Sequence, residues 1–379
     1  MGPAVRYPRG MTAPRTVGVE EELVVVDPAD GRAVPLGDRV IRGVEATAGR
    51  PEAEAELVRH MVEVQTGVCE DAGALREQVR AARATVGEAA EQQGLAVVAS
   101  GTAPLEPETT RLSDDDRYRR MSEAYGDLAR EGGTCALHVH VGIGSPEEGV
   151  AVLDRMAPWL PLLVAMSANS PFADGHDTGY ASWRLQVWGR MPTAGPTDPF
   201  RDVEGYRQAT DALLASGAAL DRGMLYFDAR LAERYPTVEV RVADVPTDPD
   251  DTVLVAVLVR ALVERCARDA ADDVPAPAWR TELLRAARWR ASRWGLSADL
   301  LHPATQRPVP ASTALEALAD HVAAPLADTG DADLVGTGLA RVLAGTGASR
   351  QRAAFERTGT VEGVVADLVT RTRGSWATA

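Results

Sequence analysis

Hydrophobic positions recur along this chain with two periods, and the switches between them lay out its elements. Residues 17–26 (VGVEEELVVV) are rich in β-branched residues and predict a strand ending at Asp27-Pro28; Asp30-Gly31 then predicts a tight turn and an early hairpin. Residues 52–68 combine an acidic start with a second extended run, MVEVQTGV, in which Glu63 and Gln65 share a face. Residues 71–93 switch to helical spacing, with Asp71 as N-cap and Gly94 as terminator. LAVVASGTAP predicts a buried strand, DDDRYRRM the start of another helix, and ALHVHVGI a further strand. Residues 147–168 form an apolar helix that Pro158 and Pro161 should kink or divide.

Residues 169–200 are a long segment dotted with glycine and proline, of the kind that more often carries function than packing. Beyond it come a helix at 202–217, a short strand at LYFDARL, a strand at TVEVRVADV, a helix after Asp250-Asp251 and a largely helical last hundred residues. Without repeat, low-complexity tract or linker, residues 16–379 read as one α+β unit, and residues 1–15 as a flexible tail. The strands alternate apolar with charged residues, so the sheet should be antiparallel, with one face on helices and the other on a solvated site.

Inside those strands, chemistry-bearing side chains stand two residues apart: Glu20 and Glu22, His138 and His140, Glu239 and Arg241. Period-two spacing points each pair to one strand face, and burying such groups costs several kcal/mol without compensating charge. A lined cavity follows, not a filled core. Adjacent glutamates repel unless a cation sits among them, and carboxylate oxygens suit magnesium better than zinc. Three simpler readings stay open: a solvated hairpin face for the glutamates, hydrogen-bonded core histidines, and a cross-strand ion pair for Glu239 with Arg241. The histidine pair could begin a zinc site, but His60, His176, His302 and His321 are scattered and supply no evident third ligand. Asp228, Arg230 and Asp244 extend the Glu239 cluster, and Gly175, Gly179 and Gly195 lie with Arg184 in a loop able to cover phosphates.

Composition narrows the function. A net charge of -15 over 379 residues disfavours nucleic acid as a partner. No apolar stretch approaches the roughly 20 residues of a membrane span and no signal segment is evident, which predicts a cytoplasmic protein. Cys69, Cys135 and Cys266 are too widely spaced for a disulfide framework or zinc ribbon and should be reduced and buried. All 40 cationic residues are arginine, which rules out a P-loop lysine, a Schiff base or an adenylating lysine; phosphate would be handled by arginine, metal and backbone amides.

Five blocks, GVEEELVVVDP, LHVHVGI, NSPFADGHDTGYASWRLQVW with PTAGP, YFDARLAERYPTVEVRVADV and ARWRASRWGL, occur in an order that resembles the glutamate–cysteine ligase type 2 family, the ATP-dependent carboxylate–amine ligases. The likeness runs from about residue 16 to residue 310. It implies a glutamine-synthetase-like catalytic fold, an antiparallel sheet forming a funnel with ATP at one end and substrates at the other. By that resemblance Glu20, Glu22, Glu63, His138 and Glu239 hold magnesium ions that bridge the nucleotide phosphates. Arg241, Arg184 and Arg230 neutralise transferring phosphate or substrate carboxylate, and Arg293 lies near the nucleotide. Where the family reads Gly-Leu-His-Val-His this chain has Ala136, and Asp174 and His176 flank a glycine where the family carries an aromatic or small residue, so the lip of the substrate pocket should differ.

The resemblance implies an amide made through an acyl phosphate, with γ-glutamyl transfer to cysteine or another amine as the expected reaction, small molecules as the partners, and homo-oligomerisation left open. Two other classes remain. A metal-dependent hydrolase built on His138 and His140 predicts tightly bound zinc and activity without ATP; a non-catalytic nucleotide- or metabolite-binding paralogue predicts binding without turnover.

Overall fold

The computed structural model describes residues 14–48, 53–130 and 133–376. In chain order β1 (Val17–Val26) leads to α1 (Gly37–Ala48), β2 (Ala53–Ala55), β3 (Met61–Gln65), α2 (Ala72–Glu91) and β4 (Ala96–Val98). Next come α3 (Asp116–Tyr125), α4 (Asp127–Arg130), β5 (Ala136–Gly142), α5 (Pro146–Met156) and α6 (Leu160–Ser167). The loop region holds β6 (Phe172–Ala173), β7 (His176–Asp177) and α7 (Arg184–Trp188), followed by α8 (Val203–Ala215), β8 (Ala229–Leu231), β9 (Thr237–Asp244), α9 (Pro249–Ala271) and α10 (Thr281–Trp294). A short hairpin of β10 (Leu300–Leu301) and β11 (Pro308–Val309) precedes α11 (Ala311–His321), α12 (Ala323–Thr329), α13 (Ala332–Ala344), α14 (Gly347–Thr358) and α15 (Val361–Arg373).

Local signals placed most of these elements. Asp71 caps α2, its carboxylate accepting from Ala74 N at 2.8 Å, and Gly94 turns the chain away at φ 72°. The proline-divided helix is α5 and α6, parted by a 3₁₀ turn at Ala157–Trp159. Together with that turn these two form a stretch long and apolar enough to cross a membrane, contrary to the expectation that no apolar run reaches that length; 78% of its most apolar window is buried inside the protein. The helix expected after Asp250-Asp251 begins three residues earlier, at Pro249, because Pro249 suits the first helical position and Asp248 caps it.

The early hairpin does not form. Gly31 makes its turn at φ 76°, but the return chain gives only a single bridge, Val26 to Ala33, before entering α1. LYFDARL joins the main sheet only over its last three residues, with Phe227 making an isolated parallel bridge to Gly195. The tail's first 13 residues lie outside the described residues, while Arg15 is tied down, donating to Glu264 and Glu148 at 2.6 Å each and to the Gly142 carbonyl at 2.9 Å.

The main sheet has seven strands in the order β2-β3-β1-β5-β9-β8, with β4 on the far end of β1, and each of these pairings is antiparallel. Ten residues make β1 long enough to pair with β3, β4 and β5 over different stretches. Its odd-numbered side chains pack back onto a helical layer that includes α2 and α9. There Glu21, the middle glutamate of the triplet, meets Arg83 of α2 at 2.6 and 2.8 Å and Thr252 of α9 at 2.6 Å, all fully buried. The cation among the three glutamates is thus, for Glu21, an arginine on the opposite face from its neighbours.

The C-terminal helices brace this layer: Thr372 accepts from Ala99 N at 3.1 Å, and Gln351 donates to the Asn169 carbonyl at 2.9 Å. Cys69, Cys135 and Cys266 are free and buried. His60, just before β3, is buried with neither ring nitrogen hydrogen-bonded to a described residue, and burial pushes its pKa down to about 4 from 6.5. Between those values the unfolded chain binds the proton that the folded one refuses, so this group's contribution to stability is lost as pH falls from 6.5 to about 4. Urea midpoints across that window should therefore fall more steeply for the native protein than for His60→Leu; equal slopes would mean that the imidazole is not held neutral.

Candidate active site

Register, not sequence proximity, assembles the site. Glu22 lies opposite Glu63, and Glu63 opposite Glu54, so three carboxylates cross β1, β3 and β2 in one row. Glu20 lies opposite His138, while His140, Glu239 and Arg230 form a second row across β5, β9 and β8. These side chains share the sheet face away from the helical layer and line a cavity of about 460 Å³. Its far wall comes from Arg117, Tyr118 and Met121 of α3, Trp188 of α7, Tyr226, and the turn at residues 232–235.

Distances within the site are short. His138 Nδ1 lies 3.1 Å from Glu20, His140 Nε2 lies 3.2 Å from it, and His140 Nδ1 is 3.0 Å from Thr237 Oγ1. Glu22 accepts from Ala136 N at 2.6 Å. Arg230 grips Glu239 through two nitrogens at 2.7 and 3.2 Å, and Arg241 donates to the same carboxylate.

Between Leu137 and Val139 of β5, β9 carries one extra residue, so His138 faces a bulge at Arg241 and Val242. Bulges re-aim side chains, and here the freed carbonyls need donors. Arg184 supplies them, its guanidinium lying 3.1 Å from the Arg241 carbonyl, 3.5 Å from that of Val242 and 4.0 Å from Asp244.

The electrostatics divide the carboxylates into two sets. Burial works against the charge on Glu20, but hydrogen bonds from His138 and His140 outweigh it and hold its pKa well below the usual range. Glu239 is likewise buried yet held low, by Arg241 first and Arg230 next. Glu22 goes the other way, pushed up to about 8 by burial and by the charge of Glu56, and Glu63 is raised by burial, Glu56, Glu20 and Glu22. His138 is pushed down to about 4 by burial and by Arg241.

Three ligand groups converge within 4.8 Å: Glu20 with His140 and Glu239, Glu20 with Glu63 and His138, and Glu22 with Glu56 and Glu63. Carboxylates that repel one another when buried, in an oxygen-rich set, fit a hard divalent cation such as magnesium. The two histidines fall in different groups, and no group among the described residues holds both, so the HxH pair does not form one chelate.

The structure therefore brings together Glu20, Glu22, Glu63, His138, Glu239, Arg230 and Arg241. It leaves others outside the cavity wall. Arg184 is buried beneath the site. Arg293 stacks over Tyr180 at 5.2 Å and Trp294 at 5.5 Å. Asp228 pairs with Arg288 at 3.0 Å, and Asp244 accepts from Ser170 and Ser182 at 2.7 Å each. Sequence reasoning missed Glu54 and Glu56, although their period-two spacing is the signal that found the other pairs. Nothing local marks Arg117, Tyr118, Trp188 or Tyr226 as cavity residues.

The family model described as glutamate–cysteine ligase family 2 matches residues 16–371. A protein of Nocardioides sp., provisionally named glutamate–cysteine ligase 2-1, is 51% identical over 370 residues, covering 96% of this chain and 97% of its own. A protein of Streptomyces avermitilis with the same provisional name is 46% identical over 362 residues, covering 95% of this chain and 100% of its own. Among solved structures, the glutamate–cysteine ligase of Francisella tularensis in complex with AMP aligns with a TM-score of 0.70 at 13% identity, over 96% of this chain and 89% of that one. A bifunctional glutathione synthetase from Pasteurella multocida gives 0.69 at 13% identity, over 96% of this chain and 52% of that one. The last two speak for the fold alone, an antiparallel sheet packed by helices. Matched almost end to end by that family, the chain belongs to glutamate–cysteine ligase family 2 and is an ATP-dependent ligase of the carboxylate–amine type.

Proposed function

We propose that this enzyme activates the γ-carboxylate of glutamate as an acyl phosphate and joins it to an amine, cysteine foremost among the candidates. The observation that carries this is the single sheet face on which carboxylates, imidazoles and two arginines meet in one cavity. A carboxylate resists attack by an amine because its oxygen is a poor leaving group. Its oxygen therefore attacks the γ-phosphorus of ATP, the bond to the bridging oxygen breaks, and ADP departs. The amine nitrogen then attacks the acyl carbon, phosphate leaves, and the amine gives up a proton. No covalent nucleophile from the protein is required.

Glu20, Glu22, Glu63, His138 and Glu239, joined by Glu56, would hold magnesium. Bound there, the cation supplies charge neutralisation for the phosphates and Lewis acidity toward the transferring group. Arg241 faces the same space; exchanging Glu239 for the transferring phosphoryl oxygens is the movement this reading requires of it. Arg230 already spends its donors on Glu239 and on the carbonyls of Arg222, Gly223 and Leu225, so it fixes Glu239 in place. Arg184 acts through Arg241 by pinning the bulge.

ADP formation with magnesium and glutamate should depend on the amine when a panel including cysteine is scanned, and mass spectrometry should find the coupled amide. Turnover that needs no ATP would overturn the reading, as would ATP hydrolysis indifferent to every amine.

A further inference from the structure

Four arginines line the cavity, Arg117, Arg230, Arg234 and Arg241, among eight carboxylates. Three are already engaged. Arg230 and Arg241 sit on Glu239, and Arg117 Nε holds Asp221 at 3.1 Å. Arg234, on the turn between β8 and β9, has no hydrogen bond, ion pair or ring contact with any described residue and is exposed. The turn is placed over the site, since the ring of its Tyr235 stands edge-on to His140 with centroids 6.1 Å apart. His140 belongs to one of the three cation groups, so the unpaired guanidinium hangs at the rim beside charged chemistry.

We propose that Arg234 is the substrate-recognition residue of this rim, receiving an oxyanion, either a carboxylate of an amino-acid substrate or a phosphate of ATP. This rests on the ligase reading above. Glutamate brings two carboxylates and ATP a triphosphate into an acidic cavity, and each needs a cation. Each of the other three already shares its charge with a carboxylate, whereas Arg234 gains a charge-assisted, bidentate contact with its full charge unshared. Held on a turn, it engages when substrate arrives and stabilises nothing in its absence.

Arg234→Ala and Arg234→Lys in the full chain test this, with KM for ATP, glutamate and the amine measured separately and calorimetric binding of magnesium-ATP and of glutamate measured without turnover. The alanine variant should raise KM, and the matching Kd where it is measured, by about tenfold for one of these substrates. Its kcat should stay within about twofold, its melting temperature should not move, and lysine should recover part of the loss. An effect confined to ATP names the phosphate; one confined to glutamate or the amine names the carboxylate. Unchanged constants, a fall in kcat alone, or a loss spread equally over all substrates would overturn the role. Wild-type protein that binds magnesium-ATP yet makes no amide refutes the assigned donor and acceptor, while calorimetry still reads out Arg234.

Discussion

Replacing Glu20 with glutamine is expected to abolish turnover, by about a thousandfold or more, while leaving the fold intact. Glu20, like Glu63, belongs to two of the three ligand groups, and it lies 3.1 Å from His138 Nδ1 and 3.2 Å from His140 Nε2, so two of the proposed cation sites share it. The amide keeps one acceptor oxygen for an imidazole but has no charge to offer a cation. Without metal, neutralising Glu20 also relieves repulsion with Glu63, whose pKa its charge helps to raise. The metal-free variant should therefore melt within a few degrees of wild type, and magnesium, which should raise the wild-type melting temperature, should raise that of the variant much less. Near-normal ADP formation in the variant would remove Glu20 from the metal-binding role. A collapse of the melting temperature would make it a structural residue instead.

The second large effect lies on the other side of the same strand. Arg83→Ala should destabilise the protein by about 3–5 kcal/mol, measured by chemical denaturation, because it strands Glu21 as an uncompensated buried charge. Arg83 is wholly buried, and besides Glu21 it donates to the carbonyls of Thr247 and Pro246 at 2.7 Å each. It therefore ties α2, β1 and the entry to α9 together. Pairing the change with Glu21→Leu should return much of the loss, since an apolar pair leaves no unmatched charge. If Arg83→Ala costs less than about 1 kcal/mol, the pair is hydrated and the helical layer is looser than its packing indicates.

These two residues mark where sequence reading succeeds and where it stops. Glu20 and Glu22 share a face because alternation along a strand is a property of the local backbone, so their common orientation was legible from spacing alone. The same held for His138 and for Glu239, and the rule applied to Glu54 and Glu56 would have found them too. Glu21 was legible as the odd member of the triplet, but its cation stands 62 residues away on α2. Arg184 shows the opposite failure. Its neighbours in the long loop resemble a phosphate-binding segment, yet the bulge in β9 frees two carbonyls from the ladder, and the buried Arg184 guanidinium donates to them. Arg293 likewise stacks on aromatic rings that only folding brings near it.

By itself the sequence determined the α+β class, the placement of most helices and strands, the family, and the kind of chemistry, because caps, prolines, period-two pairs and the absence of lysine all act within a few residues or through composition. Tertiary structure alone decided which strand meets which, and so which charges face each other. Pairing β1 with three distant strands made a cavity out of separate pairs, set Arg83 on Glu21, left the cavity's arginines either on Glu239 and Asp221 or, for Arg234, without a partner among the described residues, and replaced the expected hairpin with a helix. Cross-strand register depends on contacts tens to hundreds of residues apart, and no local pattern records them.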